Sequence, residues 1–445
     1  MVETNRLSTG ESVLDLHARD QSHHHPQRPE VVIWPVNPSE VIAIVTYAND
    51  RRIPVTGWGS GSSMEGNPIP VHKGIVLDFS RMNRILSIRE ENFQADVEPG
   101  VIYQDLNTQL RHTGLFFPPD PGARATIGGM IANNAGGTRT VHYGSTKDYV
   151  LKLSTVLANG EIMDMGSRVK KTSSAYDLIR LFVGSEGTLG IVVSATIRLV
   201  GLPSEFSAAI SNFSSVETAS RAVFEIVRAG LDPTALELLD SECVKLINQE
   251  KGIGLNISPT LFMEFTGPTL NQLSETIDLA KEICEDAGCE TFQSGLGRED
   301  RNRIFEARHE LGEMIVRNHP GDRIRIMDMA VPIAAYPEMI AESRQALTAS
   351  GLCGYIFSHA GDGNIHINVV GQKDDSKQWV WVDTLTDQLV LKALELDGTA
   401  TGEHGVGIGK RPFMQTEHGK SLEWMQRIKA LFDPNGILNP GKIFP

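Results

Sequence analysis

Two short stretches concentrate side chains able to do chemistry. GYIFSHAGDGNIHINVV, residues 354–370, sets His359, Asp362, His366 and Asn368 into a run that otherwise reads as β-strand. GTATGEHGVGIGK, residues 398–410, places Glu403 and His404 side by side among glycines. A buried strand has little use for polar side chains without partners. His359 and His366 are seven apart, so on one continuous strand they would face opposite sides. Asp362-Gly363 between them is a turn signal that can fold the two histidines together, and His366 then shares a face with Asn368. Two imidazoles and the Glu403 carboxylate suit a three-ligand divalent-metal site with positions left for a substrate. The plainer alternative is a set of hydrogen-bonded polar residues at a strand end, and for either histidine alone it is the better reading.

A second chemistry is carried by glycine. VTGWGSGSSMEGN, residues 55–67, follows a strand and spaces Gly57, Gly59 and Gly61 with small or polar residues. Such a loop can turn its N–H groups inward around an anion, with hydroxyl donors from Ser60, Ser62 and Ser63. It is neither a Rossmann nor a Walker motif, and alone it reads as a tight surface turn. PPDPGARATIGGMIANNAGGTRTVHYGS, residues 118–145, is too long for an idle connection, and Thr126 can cap a short helix entered through Gly128 and Gly129. VGSEGTLGIV, residues 183–192, is another glycine turn into a strand. A large phosphorylated cofactor explains all three loops together.

The elements that must position these groups read as α+β in both halves, without a βαβ rhythm. In the first half a helix over 39–50 capped by Ser39, short strands at GIVLDF, RILSI and NFQADVEPG, and a helix near 101–112 are expected. YVLKLSTVLANGEIMDM reads as a hairpin turning at Asn159-Gly160. After about residue 203 amphipathic helices are expected at 214–229, 271–287, 299–317, 336–349 and 377–396, with strands such as LFMEF and IRIMDMAVP between them. The tail, LFDPNGILNPGKIFP, is rich in turn residues. His23, His24 and His25 read as a polar approach to a first strand, VVIWPV.

At 445 residues the chain exceeds a single core. A formal charge of -14 disfavours nucleic acid and anionic lipid as partners. No stretch reaches the roughly 20 apolar residues of a membrane span, and the N-terminus lacks an apolar signal core, so a cytoplasmic protein is expected, with docking at a membrane left open. Cys243, Cys284, Cys289 and Cys353 have no metal or redox spacing and read as reduced thiols.

Taken together, GWGSGSSMEGN, DPGARATIGGMIANNAGG, GSEGTLGIV, HAGDGNIH, TGEHGVG and FDPNGILNPGKI resemble, in order and over nearly the whole chain, the FAD-linked 2-hydroxyacid dehydrogenases of the vanillyl-alcohol-oxidase fold. The group includes cytochrome-type D-lactate dehydrogenases, D-2-hydroxyglutarate dehydrogenase and the FAD subunit of glycolate oxidase. The resemblance implies a two-lobed PCMH-type FAD-binding domain over 26–203 (lobes about 26–85 and 86–203), an α+β substrate domain over 204–420 with a metal site, and a tail, 421–445, returning to the flavin. It implies noncovalent FAD, with Gly57, Gly59, Ser60, Gly61 and Ser62 under the pyrophosphate. Pro119, Gly122, Thr126, Gly129, Asn133, Ala135 and Gly136, then Glu186, Gly187, Ile191 and Val192, would enclose the rest, with Asn439 reaching it from the tail.

The same resemblance makes His359, His366 and Glu403 ligands of a divalent metal, zinc or manganese, with iron a third option. It makes His404 the base and Arg308 the holder of the substrate carboxylate; Asn368, on the face of His366, reads either as a contact to the carboxylate or an alkoxide oxygen or as a structural hydrogen bond. Arg308 by itself, beside Arg301, Arg303 and Glu306, reads as part of a solvated charged face. The ARH form in IFEARHE resembles the D-lactate members. Ile326 stands where glutarate enzymes carry a lysine, with Arg323 and Arg325 displaced in register. The implied reaction is oxidation of a D-2-hydroxyacid by hydride transfer to the flavin, with electrons leaving to an external acceptor: a quinone, a cytochrome, an electron-transfer flavoprotein or an iron–sulfur subunit. The alternatives are an FAD subunit of a multisubunit glycolate oxidase, a D-2-hydroxyglutarate dehydrogenase, and, in a different class, a flavin-free non-haem metal oxygenase or hydrolase.

Overall fold

A computed structural model describes residues 2–295 and 297–445. The chain forms two compact units. The first contains residues 1–136, 144–202 and 403–445, and the second residues 137–143 and 203–402. The change of sequence texture places a boundary near 203, and the family resemblance a second at 420. The contacts instead assign the GEHGVG loop from Glu403 onward to the first unit and a seven-residue segment around Val141 to the second.

The first unit holds two main sheets. In the four-stranded sheet, Val31–Ile33, Ile75–Asp78 and Val55–Trp58 run parallel, and Leu7–Ser8 adds an antiparallel edge ahead of VVIWPV, so that stretch is not the first strand. The five-stranded sheet is antiparallel, in the order Ile85–Arg89, Gln94–Val97, Ile191–Arg198, Val150–Val156 and Ile162–Gly166. Its last two strands form the expected hairpin, with Gly160 at φ 82. The helix Pro38–Arg51 packs Val41, Ile44, Val45 and Ala48 into the core under the parallel sheet. Its cap is Asn37, whose Oδ1 accepts from Glu40 N at 3.0 Å, and not Ser39. Pro38, already set to helical φ, occupies the first turn, so capping falls to the residue before it. The tail closes this unit: Asn439 N donates to Val55 O and Val55 N to Ile437 O, each at 2.8 Å.

The second unit is built on one seven-stranded antiparallel sheet, in the order Cys289–Ser294, Glu205–Phe213, Thr260–Gly267, Ala235–Leu239, Cys353–His359, Asn364–Gly371 and Arg323–Ala330. Its helices include Val216–Arg228, closed by a Ser215/Thr218 capping box, Leu270–Asp286, Tyr336–Ser350 and Ser376–Glu395. The helix expected over 299–317 is two helices, Arg298–His309 and Leu311–Asn318, because Glu310 at ψ -3 interrupts it. Among the described residues no helix is long and apolar enough to cross a membrane. All four cysteines are free; Cys243 and Cys284 are buried and Cys353 is exposed.

Candidate functional site: a glycine-lined slot and a charged sheet end

The first unit contains two adjoining cavities that share Gly57, Gly59, Thr126, Gly129, Ala132 and Glu186, and so form one continuous slot. The larger is lined along one side by the 59–64 loop and along the other by Ala125, Thr126, Met130 and Asn133, with Glu403 and His404 at its wall. The smaller is apolar, with Trp58, Phe79, Pro99 and Phe182. The slot's mixture of glycine backbone with apolar wall suits an extended ligand carrying both a phosphate and a ring. A Cβ on Gly187 would meet nothing within 4 Å and one on Gly57 only Phe79 at 3.8 Å, so these glycines hold space open on the slot. Gly59 is needed for a different reason: a Cβ there would come within 2.4 Å of Thr126 Oγ1. That same Oγ1 accepts from Gly129 N at 3.2 Å and caps the short helix Ile127–Asn133.

Glu186 ties the GEHGVG loop to the slot. Its carboxylate accepts from Val406 N at 2.6 Å and from Gly407 N at 3.0 Å. Complete burial pushes its acid up, against the pull of those N–H groups and of the Lys442 ammonium. Asn133 Nδ2 donates to His404 O at 3.1 Å, a second tie to the same loop. Asn439 lines the slot, but its Nδ2 is spent on the carbonyls of Glu186, at 2.7 Å, and Asn67, at 3.1 Å. It therefore pins two lining loops together.

In the second unit the sheet register assembles a charged cluster at one end. Cys353–His359 and Asn364–Gly371 are joined by the turn Ala360–Asp362 and by Gly363 at φ 70, which returns the chain and brings the His359 and His366 rings to 5.1 Å between centroids. Each offers a ring nitrogen, the two within 4.8 Å of one another. His359 lies opposite Glu237, and His366 opposite Asp328 and Phe357, so these side chains share one face with Asn368. Glu237, 1 % exposed in the middle strand of the sheet, hydrogen-bonds His359 Nδ1 through Oε1 at 2.8 Å, and its Oε2 lies 2.7 Å from Arg308 Nε in an ion pair whose N–H is not aligned on the oxygen. Arg308 Nη2 is also 3.5 Å from His359 Nδ1, but a nitrogen that donates to Glu237 cannot accept from Arg308, and the shorter contact decides.

Asp328, fully buried, accepts from Asn364 Nδ2 at 2.7 Å and Thr401 Oγ1 at 2.8 Å, and lies 3.6 Å from His366 Nδ1. Asn368 Oδ1 is buried with no hydrogen-bond partner among the described residues. The solvated-face reading of Arg308 fails: it is 6 % exposed and stacks on Phe357 at 4.9 Å, whereas Arg303 and Glu306 on the same helix are exposed. Arg325 alternates onto the face opposite Asp328 and pairs with Asp383.

Most of the expected cofactor-lining residues gather on the slot. Gly57, Gly59, Ser60, Gly61, Ser62, Thr126, Gly129, Asn133, Ala135, Glu186 and Asn439 line the larger cavity, and Gly187, Ile191 and Val192 the smaller. Pro119, Gly122 and Gly136 line neither; Pro121 and Ala123 take their place at the rim. Sequence reasoning missed Glu237 and Asp328. Each is a lone carboxylate in a run of apolar residues, in ALELL and IMDMA, and that misfit was the signal.

A glycine-lined slot in an α+β unit, followed by a second unit with a buried imidazole and guanidinium cluster, defines a flavin-binding oxidoreductase of two domains. The comparisons with known proteins agree. Residues 29–166 match the model of an FAD-binding domain, and residues 202–443 that of the FAD-linked oxidase C-terminal domain. The chain belongs to the FAD-linked oxidase family. It is 37 % identical over 441 residues to a probable mitochondrial D-lactate dehydrogenase of Danio rerio, covering 98 % of this chain and 88 % of the relative. It is 36 % identical over 434 residues to glycolate oxidase subunit GlcD of Bacillus subtilis, covering 96 % and 92 %. Among solved structures, 4-ethylphenol oxidase from Gulosibacter chungangensis superposes with a TM-score of 0.78 at 20 % identity, covering 99 % of this chain and 95 % of that one, and shares the fold.

Proposed function

We propose that this FAD-linked oxidoreductase oxidises a small D-2-hydroxyacid of the D-lactate type to the 2-oxoacid, and passes the electrons to an acceptor other than NAD. The observation that carries the reading is the buried Arg308, held beside His359, whose ring centroid lies 5.1 Å from that of His366, in a family whose similar members include proteins named D-lactate dehydrogenase. A buried guanidinium is suited to a carboxylate, which it binds through charge-assisted N–H donors. Asn368, with its buried Oδ1 unpartnered, fits a second polar contact to the same substrate. Arg325 lies on the opposite face of the sheet and is paired with Asp383, which argues for a monocarboxylate over a dicarboxylate.

His359, His366 and Glu403 are the proposed ligands of a divalent metal, and the donor set of two ring nitrogens and a carboxylate fits zinc, manganese or iron. Such a metal, when bound, supplies Lewis-acid polarisation of the substrate hydroxyl. FAD, when bound, supplies hydride acceptance at N5. His404 takes the hydroxyl proton at a ring nitrogen, and Glu186 and Asn133 steady its loop by their bonds to Val406, Gly407 and His404 O.

The test is anaerobic bleaching of the flavin by D-lactate, L-lactate, glycolate and D-2-hydroxyglutarate added separately, with and without a chelator. Bleaching by D-lactate that chelation abolishes and a divalent ion restores is the expected result. Bleaching by glycolate alone would move the assignment to a glycolate-oxidising subunit. A yellow protein that none of the four reduces would remove the 2-hydroxyacid reading.

A further inference from the structure

We infer that Glu237 is a positioning residue that holds His359 and Arg308 in their working forms at once, one carboxylate oxygen for each. The inference rests on the proposed roles of those two residues and adds the group that orders them. The two jobs are separable on geometry. Oε1 faces His359 Nδ1 at 2.8 Å across the Ala235–Leu239/Cys353–His359 strand pair, where Glu237 and His359 are register partners. Oε2 faces Arg308 Nε at 2.7 Å. A carboxylate only accepts, so the ring carries a hydrogen on Nδ1, and in the neutral ring Nε2 is then the nitrogen that can ligate a metal. The ion pair to Arg308 has its nearest approach at Nε and is a charge contact without an aligned N–H, so Glu237 does not occupy the terminal N–H groups of the guanidinium that would meet a substrate carboxylate.

The surroundings fit no other use of Glu237. It is 1 % exposed in a strand buried at every residue, where a charge persists only with partners, and among the described residues Arg308 and His359 are its partners. Tyr336, on the helix packed nearby, gives its hydroxyl contact to Ser358 Oγ at 2.6 Å and not to Glu237.

Glu237→Gln is the informative change. It keeps the shape, but the guanidinium of Arg308 only donates and so takes the amide oxygen, which turns the amide N–H groups toward Nδ1 and moves the ring hydrogen to Nε2, where a metal would bind. Three readouts on the full-length FAD-loaded protein test it. The tautomer of His359 is read by NMR with 15N-histidine, assigned with His359→Gln. Zinc and manganese affinities are read by competition with a chromophoric chelator. KM and kcat for the hydroxyacid are read from flavin reduction. In the parent the Nδ1–H tautomer is expected. In Glu237→Gln the expected results are the Nε2–H tautomer, metal binding weakened by about 10–100-fold, and a raised KM, with FAD content unchanged.

An unchanged tautomer together with metal affinity within about twofold of the parent overturns the inference. If Glu237→Gln does not fold, Glu237→Gln/Arg308→Met removes both charges, and the same tautomer and metal readouts decide. Should no hydroxyacid reduce the parent flavin while tautomer and metal affinity shift as expected, the positioning role stands and the dehydrogenase reading falls. Should the parent be reduced and the variant match it in all three readouts, the reverse holds.

Discussion

The slot of the first unit and the charged sheet end of the second bind by opposite means. The slot is made of backbone and of side chains that are missing: Gly57 and Gly187 open space, and Gly59 lets Thr126 approach. The sheet end is made of ionised side chains, each held by another: Glu237 by Arg308 and His359, Asp328 by Asn364 and Thr401. A slot of the first kind fails when an atom is added, and a cluster of the second kind fails when an atom is removed. Extended cofactors and small anionic substrates call for these two solutions, because the former needs length and shape and the latter needs charge in a small volume.

The largest test of that contrast is Arg308→Ala. It strands the Glu237 carboxylate in a buried strand and is expected to destabilise the second unit by about 3–5 kcal/mol. Urea unfolding followed by circular dichroism measures it, and FAD content per folded molecule should stay at the parental level. A loss below about 1 kcal/mol would mean that the pair is solvated enough to behave as a surface bridge, and the contrast would fail.

The first unit also buries an ammonium, close to Glu186 of the slot. Lys442 is 2 % exposed, donates to Ile69 O at 2.6 Å, and sits near Glu186. Burial pulls its ammonium down to about 8 despite the attraction of Glu186 and Asp20. The unfolded chain holds that proton up to its ordinary value near 10.5, so it binds more protons than the native state between about pH 8 and 10.5. Stability contributed by this group therefore rises with pH through that window, by up to roughly 3 kcal/mol. Lys442→Met should flatten the rise; an equal slope in parent and variant would show that the ammonium is solvated.

How far these regions could be read from the sequence follows the same division. Glycine loops announce themselves by composition, and Asn159-Gly160, the AGDGN turn and the Thr126 cap were legible because each is local chemistry. The cluster was legible only in part. His359 and His366 stand out against a strand, but Glu237 is joined to them by sheet register with a strand more than a hundred residues away, which no local pattern carries. Arg308 was the instructive case. Its neighbours made it look solvated, yet it lies four after Ile304 and three before Leu311, on the buried stripe of its helices. The break at Glu310 was unreadable for the converse reason: the apolar period continues through it. Assignment of the 403–445 stretch to the first unit depends on long-range bonds such as Val406 N to Glu186, and these too leave no local trace.

Gly128→Ala tests the slot by addition. Its Cβ would fall 2.7 Å from Pro99 Cβ and 2.9 Å from Pro99 O, so the Ile127–Asn133 turn must shift away from backbone that cannot yield. Overpacking of this kind costs about 1–3 kcal/mol, and the expected result is FAD affinity weaker by roughly tenfold, measured by fluorescence on rebinding. Zinc affinity should be unaffected. An unchanged FAD affinity would mean that the turn is not part of the binding wall.

The smallest effect has the opposite sign and belongs to the second unit. Gly312 lies within Leu311–Asn318, where an added Cβ meets nothing within 4 Å and the backbone is not left-handed. Gly312→Ala removes conformational freedom from the unfolded chain without a steric cost, so it should stabilise by about 0.5–1 kcal/mol in the same urea measurement. That Leu311 stripe packs beside the helix carrying Arg308, so a stiffer helix should leave KM for the hydroxyacid unchanged if Glu237 alone fixes the guanidinium. A shift in KM accompanying the gain in stability would mean that the helix, and not the carboxylate, sets where Arg308 stands.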